Sequence, residues 1–117
     1  MTKNTISHEI LNKESAKINP GKILDNNNVH EMVDKITTLQ EQHFKYILVD
    51  MKELEFISSA GVGSILGTVE NSRENGGDII IIGASETILS VFKVLDLIDY
   101  LTIKKNISDA KEVCGVA

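Results

Sequence analysis

The sequence predicts an α/β fold in which a mixed β-sheet of four or five strands is backed by about four helices. Two short apolar runs, at residues 46–50 and 79–82, are typical of strands buried on both faces. Each run is followed by apolar residues at spacings of three and four, which indicate amphipathic helices. Because strands alternate with helices, we expect parallel strands joined by right-handed crossovers.

The first part of the chain predicts strands at the edge of this sheet. Loosely alternating apolar residues indicate two short strands or a hairpin within residues 3–10 and 14–19, and the apolar candidates are Ile6, Ile10, Ala16 and Ile18. A turn is expected at Asn19-Pro20-Gly21, because proline fixes φ and glycine tolerates the backbone that follows. Ile23 and Leu24 either extend a strand or lie beneath the next loop.

Polar clusters mark where the helices begin. The side chains of residues 25–28, Asp-Asn-Asn-Asn, are suited to accept hydrogen bonds from the first turn of a helix that runs to about Gln42. The second helix is expected from Ala60 to about Glu74, where a glycine-containing turn ends it. Ser85 is expected to cap a third helix, whose apolar face includes Leu95.

A final strand at residues 100–104 and a short helix at 107–113 complete the predicted fold. A chain of 117 residues with 42% hydrophobic content is expected to form a single domain over residues 1–117.

Composition excludes several classes of function. The net charge is −5 and no block of Lys or Arg is present, so direct nucleic-acid binding is not expected. No apolar stretch approaches the ~20 residues that cross a bilayer, and the N-terminus lacks the apolar core of a signal peptide. The single cysteine, Cys114, cannot form an internal disulfide. We therefore expect a cytoplasmic protein with no membrane partner.

The histidines give no reason to expect a metal. His30 and His43 lie outside any pattern of Cys or carboxylate residues that would complete a site, and surface positions are expected for both.

Residues 56–67, FISSAGVGSILG, are the most unusual stretch of the chain. Their glycines have the spacing GxGxxxG, and the acidic residue expected about 20 positions on in a dinucleotide site is missing. No GK[ST] or GxSxG motif is present, and all three histidines precede the serines. We therefore expect no catalytic residue and no cofactor. An enzyme or small-ligand binder that uses the glycine loop is retained as a separate alternative.

The paired serines, Ser58 and Ser59, stand where the second helix begins. Either hydroxyl is able to cap the helix, which stabilises it by ~1 kcal/mol. One serine suffices for that role, so the other hydroxyl is left at the positive end of the helix dipole, where a phosphate is electrostatically favoured.

The predicted outer face of the second helix carries small, uncharged side chains. These residues are Ser64, Gly67, Thr68 and Asn71. A solvated helix face usually carries Lys, Glu and Arg, and glycine in a helix interior costs ~1 kcal/mol relative to alanine. Such a strip would let another protein approach closely, although a face with no partner would also tolerate these residues.

These residues resemble the STAS-domain anti-sigma factor antagonists, also called anti-anti-sigma factors. The family has a D-S-[SA]-G-[LV]-G motif that opens a helix, and Ser58-Ser59-Ala60-Gly61-Val62-Gly63 matches it with serine in place of the first aspartate. Residues 21–25 are similar to the family's G-x-L-D loop, lengthened by one residue. Residues 46–50 resemble its central strand, and residues 76–79 its glycine turn.

The resemblance implies a function. The family's phosphorylated serine corresponds to Ser59, with Ser58 as the second choice. The unphosphorylated protein would bind an anti-sigma factor that is itself a serine kinase, which releases the sigma factor for transcription, and a protein phosphatase would reverse the modification. The expected partner-binding residues are Asp25, Ser58, Ser59, Ala60, Gly61, Gly63, Ser64, Gly67, Thr68 and Asn71. A non-switching STAS subunit of a sensory or lipid-transport complex is the alternative.

Overall fold

The computed structural model describes residues 4–114, and within that range it describes the side chains as far as Lys111. The side chain of Cys114 and residues 1–3 lie outside the described residues.

Seven strands and four helices make up this part of the chain. The strands are β1 (Ser7–Ile10), β2 (Ser15–Asn19), β3 (Ile23–Leu24), β4 (Tyr46–Asp50), β5 (Phe56–Ile57), β6 (Asp78–Ile82) and β7 (Thr102–Lys104). The helices are α1 (Val29–Glu41), α2 (Ser59–Glu74), α3 (Glu86–Val94) and α4 (Ile107–Cys114).

Five of the strands form one mixed sheet in the order β1-β2-β4-β6-β7. β1 and β2 pair as an antiparallel hairpin at one edge, while β2, β4, β6 and β7 are parallel neighbours. β4 and β6 are the central strands, and four of the five residues in each are buried. The prediction of a mixed sheet of four or five strands with about four helices is therefore confirmed: the sheet has five strands, and the described residues contain four helices.

The sheet is covered on both faces. Residues that alternate along the central strands, such as Ile47 and Val49, join a large apolar core with α1, α2 and α3. Leu48, Ile80 and Ile82 point to the other face and pack with Ala110 of α4. This alternation follows from the period of two in a strand and explains why both runs are apolar throughout.

A second sheet of two strands decides between the two alternatives for residues 23 and 24, a strand or a segment beneath a loop. Ile23 and Leu24 do form a strand, β3, which pairs in parallel with β5 so that Ile23 faces Phe56 and Leu24 faces Ile57. The Leu24 carbonyl also accepts a hydrogen bond from the Ser58 amide at 2.9 Å. The small sheet thus fixes where α2 begins.

Three local expectations differ from the structure. Asn28 occupies the N-cap position of α1 without a side-chain cap bond, because its Oδ1 accepts the Asp25 amide at 2.9 Å within the preceding turn. Leu95 is 49% exposed because α3 ends at Val94. Ile10 is also exposed, on the edge strand β1.

Within residues 4–114, none of the helices has the length and apolar character needed to cross a membrane.

Candidate functional site

Ser58 is the N-cap of α2. Its backbone is extended, with φ −87° and ψ 172°, and its Oγ accepts a hydrogen bond from the Gly61 amide at 3.1 Å. The hydroxyl also lies 3.4 Å from Oδ1 of Asn26, to which it donates. Because one lone pair and the proton are both engaged, the Ser58 hydroxyl has a structural role at the helix start.

Ser59, the next residue, is the first residue of the helix and is exposed. Its hydroxyl makes no hydrogen bond to any residue that the structure describes. The first turn of α2 contains no acidic side chain, so the positive end of the helix dipole is not offset locally. The two adjacent serines therefore have different environments: one is a cap and the other is a free hydroxyl.

Gly61 is required for packing. A Cβ at this position would lie 2.7 Å from the Leu24 carbonyl oxygen and 2.7 Å from Cγ1 of Ile57. Both contacts are too close for any side chain, and one of them is with backbone that cannot shift cheaply. Gly61 is buried and lets α2 start directly against the small sheet, while Ala60 beside it is half-buried.

Gly63 and Gly67 have the opposite environment. Both are exposed, and a Cβ at either position would meet nothing within 4 Å. Neither has the positive φ that favours glycine. With Ser59 they are spaced four residues apart, which places all three in one row along the helix surface. We call Ser59, Gly63 and Gly67 the small-residue row.

Some residues of the predicted outer face of α2 are buried. Thr68 was expected there, and that expectation is wrong: it is 5% exposed, and its Oγ1 lies 2.9 Å from the Ile65 carbonyl. The reason is the packing of α1 against this side of α2, where Gln40 donates to the Thr68 carbonyl at 3.0 Å. Asn71 is exposed but donates to Oε1 of the same Gln40 at 2.6 Å.

Ser64, next to Gly63 in α2, and Asp25, in the loop after β3, are half-buried. The Ser64 hydroxyl donates to the Gly61 carbonyl at 2.7 Å, and the Asp25 carboxylate accepts the Asn27 amide at 2.9 Å. Both polar groups therefore already have a hydrogen-bond partner within the chain.

Three residues near the row were missed by the sequence reasoning. Asn26 contacts Ser58, while Ile23 and Phe56 are exposed although apolar. A sequence signal for the last two exists, because Leu24 and Ile57 point inward and their strand neighbours must then point outward. The bond from Ser58 to Asn26 joins residues 32 apart in the chain and has no local signal.

Known proteins resemble this chain in sequence and in fold. It is 24% identical over 89 residues to the anti-sigma-B factor antagonist of Staphylococcus aureus, a match that covers 76% of this chain and 82% of the relative. It is 23% identical over 101 residues to the anti-sigma-B factor antagonist of Staphylococcus epidermidis, which covers 86% of this chain and 90% of the relative.

Among solved structures, the fold is similar to that of the anti-sigma factor antagonist SpoIIAA in its unphosphorylated form. The TM-score is 0.83 and the identity 24%, over 97% of this chain and 99% of that one. The model of the STAS domain family matches residues 12–110, which include the whole of the small-residue row. The chain therefore belongs to the STAS domain family.

Proposed function

We propose that this protein is an anti-sigma factor antagonist whose binding to its partner is switched off by phosphorylation of Ser59. The observation that carries the proposal is the position of Ser59. It is an exposed, unbonded hydroxyl at the positive end of α2, and it heads a row of residues that bear no charge and no bulk.

Ser59 is a better phosphate acceptor than Ser58. The Ser58 hydroxyl accepts the Gly61 amide and donates to Asn26, so a kinase acting on it would have to break both contacts. Loss of a serine cap costs a helix ~1 kcal/mol. Ser59 has no such contacts to lose, and its exposure makes it accessible to a kinase.

The phosphate would act on binding and leave the fold intact. Phosphorylation adds about −1.5 to −2 charge, which suits a helix N-terminus. The same group would stand at one end of the small-residue row, where a partner backbone approaches closely. Burying a dianion in such a contact without a basic counterpart is unfavourable, so the complex would dissociate.

The partners follow from this mechanism and from the names of the relatives. We assign the protein an anti-sigma factor with serine kinase activity as its binding partner, and a protein phosphatase that restores the unmodified state. The protein itself supplies a surface and a hydroxyl, and performs no catalysis and needs no cofactor. It would act in the cytoplasm, upstream of sigma-dependent transcription.

The test begins with capture of the partner from native cells. The Ser59→Ala variant cannot be phosphorylated and is expected to retain the anti-sigma factor, which is then identified by mass spectrometry and purified. Incubation of the wild-type protein with that factor and ATP is expected to add one phosphate, mapped to Ser59.

The Ser58→Ala variant is the matched control, since it removes the neighbouring hydroxyl. It is expected to be phosphorylated still, with one phosphate on Ser59. A phosphate on Ser58, or none with the purified factor, would overturn the proposed switch. Capture of a sensory array or a transporter in place of an anti-sigma factor would favour the alternative of a STAS scaffold subunit.

A further inference from the structure

Two large apolar side chains lie on the surface of the small sheet that leads into Ser59, the proposed phosphorylation site. Ile23 is 42% exposed and Phe56 is 53% exposed, and the two are register partners in the parallel pairing of β3 with β5. Their strand neighbours Leu24 and Ile57 are buried in the core. The small sheet therefore has apolar side chains on both faces. Those of Leu24 and Ile57 are buried, whereas those of Ile23 and Phe56 are exposed to solvent. We call Ile23 and Phe56 the apolar pair.

The apolar pair lies in the small sheet that leads directly into the small-residue row. Side chains alternate along a strand, so Phe56 and Ser58 project to the same side while Ile57 points inward. Ser58 in turn contacts Asn26, in the loop that follows β3, and Ser59 begins the row. Phe56 therefore precedes the two serines and the start of the row by only a few residues, and the contact with Asn26 ties the strand of Ile23 to the same place.

The row by itself offers little area to a partner. Stable protein interfaces bury ≈ 800 Å² per partner, and their energy is concentrated in a few large side chains near the centre. Serine and glycine cannot supply such anchors. The row allows close approach, and a large apolar side chain next to it is needed for affinity.

We propose that Ile23 and Phe56 anchor the anti-sigma factor by entering an apolar recess on its surface, next to the point where Ser59 is phosphorylated. This inference rests on the proposed function. It explains how one phosphate is effective: docking of the apolar pair would carry the added charge out of water together with the neighbouring surface, and burying an unpaired charge is costly.

Other exposed apolar residues belong to different parts of the molecule. In the described residues they are Ile10 in β1 and four residues at and after the end of α3, namely Val94, Leu95, Ile98 and Tyr100. Val94, at 82% exposed, is the most open of them and lies at the end of α3. It therefore serves as a control for removal of an exposed apolar side chain elsewhere.

The experiment measures the affinity of the purified anti-sigma factor for the unphosphorylated protein by calorimetry. Phe56→Ser is expected to weaken binding by more than about tenfold, as for an interface anchor, and Ile23→Ser by a smaller factor. Val94→Ser is expected to bind as wild type does. Binding by Phe56→Ser within twofold of wild type would overturn the anchor.

Photo-crosslinking tests the same contact without removing the side chain at position 56. A photoreactive phenylalanine analogue at position 56 is expected to crosslink to apolar residues of the anti-sigma factor, and the same analogue at position 94 is not. Crosslinking to a second copy of this chain, or to neither protein, would contradict the assignment of the occupant.

The outcomes separate the two proposals. If wild type neither binds an anti-sigma factor nor accepts a phosphate on Ser59, the proposed function is wrong. If wild type does both and Phe56→Ser does both equally well, only the anchor is wrong.

Discussion

The starts of α2 and α3 use the same local device in different surroundings. Each helix follows a short segment after a strand and is capped by a serine: Ser58 accepts the Gly61 amide at 3.1 Å, and Ser85 accepts the Ile88 amide at 3.3 Å. The backbone angles of the two caps are also close, with ψ of 172° and 166°. The capping geometry is therefore the same at both sites.

The next residue distinguishes them. The first helical residue is Glu86 in α3 and Ser59 in α2, and both are exposed. A carboxylate at this position is favoured by the helix dipole, by about 0.3–1 kcal/mol. The fold therefore accepts negative charge at the first residue of a serine-capped helix. The neutral serine at the start of α2 is therefore not a requirement of the fold.

The largest expected effect comes from placing a carboxylate at the first residue of α2, where α3 already has Glu86. Ser59→Asp is expected to weaken binding of the anti-sigma factor by about 100-fold or more, ~2.7 kcal/mol, while the free energy of unfolding is unchanged or slightly higher. Calorimetry and urea unfolding measure the two effects. Glu86→Gln is the control and should leave binding unaltered. A Ser59→Asp protein that binds as tightly as wild type would remove the basis of the switch.

The next effect concerns the glycine packed beneath the start of α2. Gly61→Ala is expected to lower the free energy of unfolding by about 1–3 kcal/mol, because the new Cβ meets the Leu24 carbonyl and Ile57. Chemical denaturation gives the value. α3 has Ile88 at the equivalent position, with no such constraint. Unchanged stability in Gly61→Ala would show that α2 and the small sheet separate easily.

The caps themselves should be equivalent. Ser58→Ala and Ser85→Ala are each expected to cost ~1 kcal/mol of unfolding free energy, because each removes one bond to a free amide of the first turn. Thermal or urea unfolding compares them directly. A cost at Ser58 well above that at Ser85 would indicate that the additional contact with Asn26 contributes to stability.

The smallest expected effect is a gain in stability when an exposed glycine of α2 is replaced by alanine. Gly67→Ala is expected to raise the free energy of unfolding by about 0.5–1 kcal/mol, since alanine is the better helix former and its Cβ meets nothing. The same substitution should weaken binding of the anti-sigma factor, because the methyl group obstructs close approach. Tighter or equal binding by Gly67→Ala would place Gly67 outside the contact.

Much of the fold was accessible from sequence because its signals are local. The runs at 46–50 and 79–82 and the period of the helices depend on neighbouring residues, and they predicted the sheet and all four helices. The FISSAGVGSILG stretch also predicts where a candidate site lies, through two serines at a helix start and glycines where a helix does not favour them, while the role of Ser59 was implied by the resemblance to the STAS family.

Only the tertiary structure decided how these residues are used. The pairing of β3 with β5 brings Leu24 against Gly61 and Asn26 against Ser58, contacts between segments more than 30 residues apart. The packing of α1 on α2 buries Thr68, which the helical period alone had placed outside. Periodicity reports which residues share a face of a helix, whereas burial depends on which element packs there. The division into a capping Ser58 and a free Ser59 therefore required the fold.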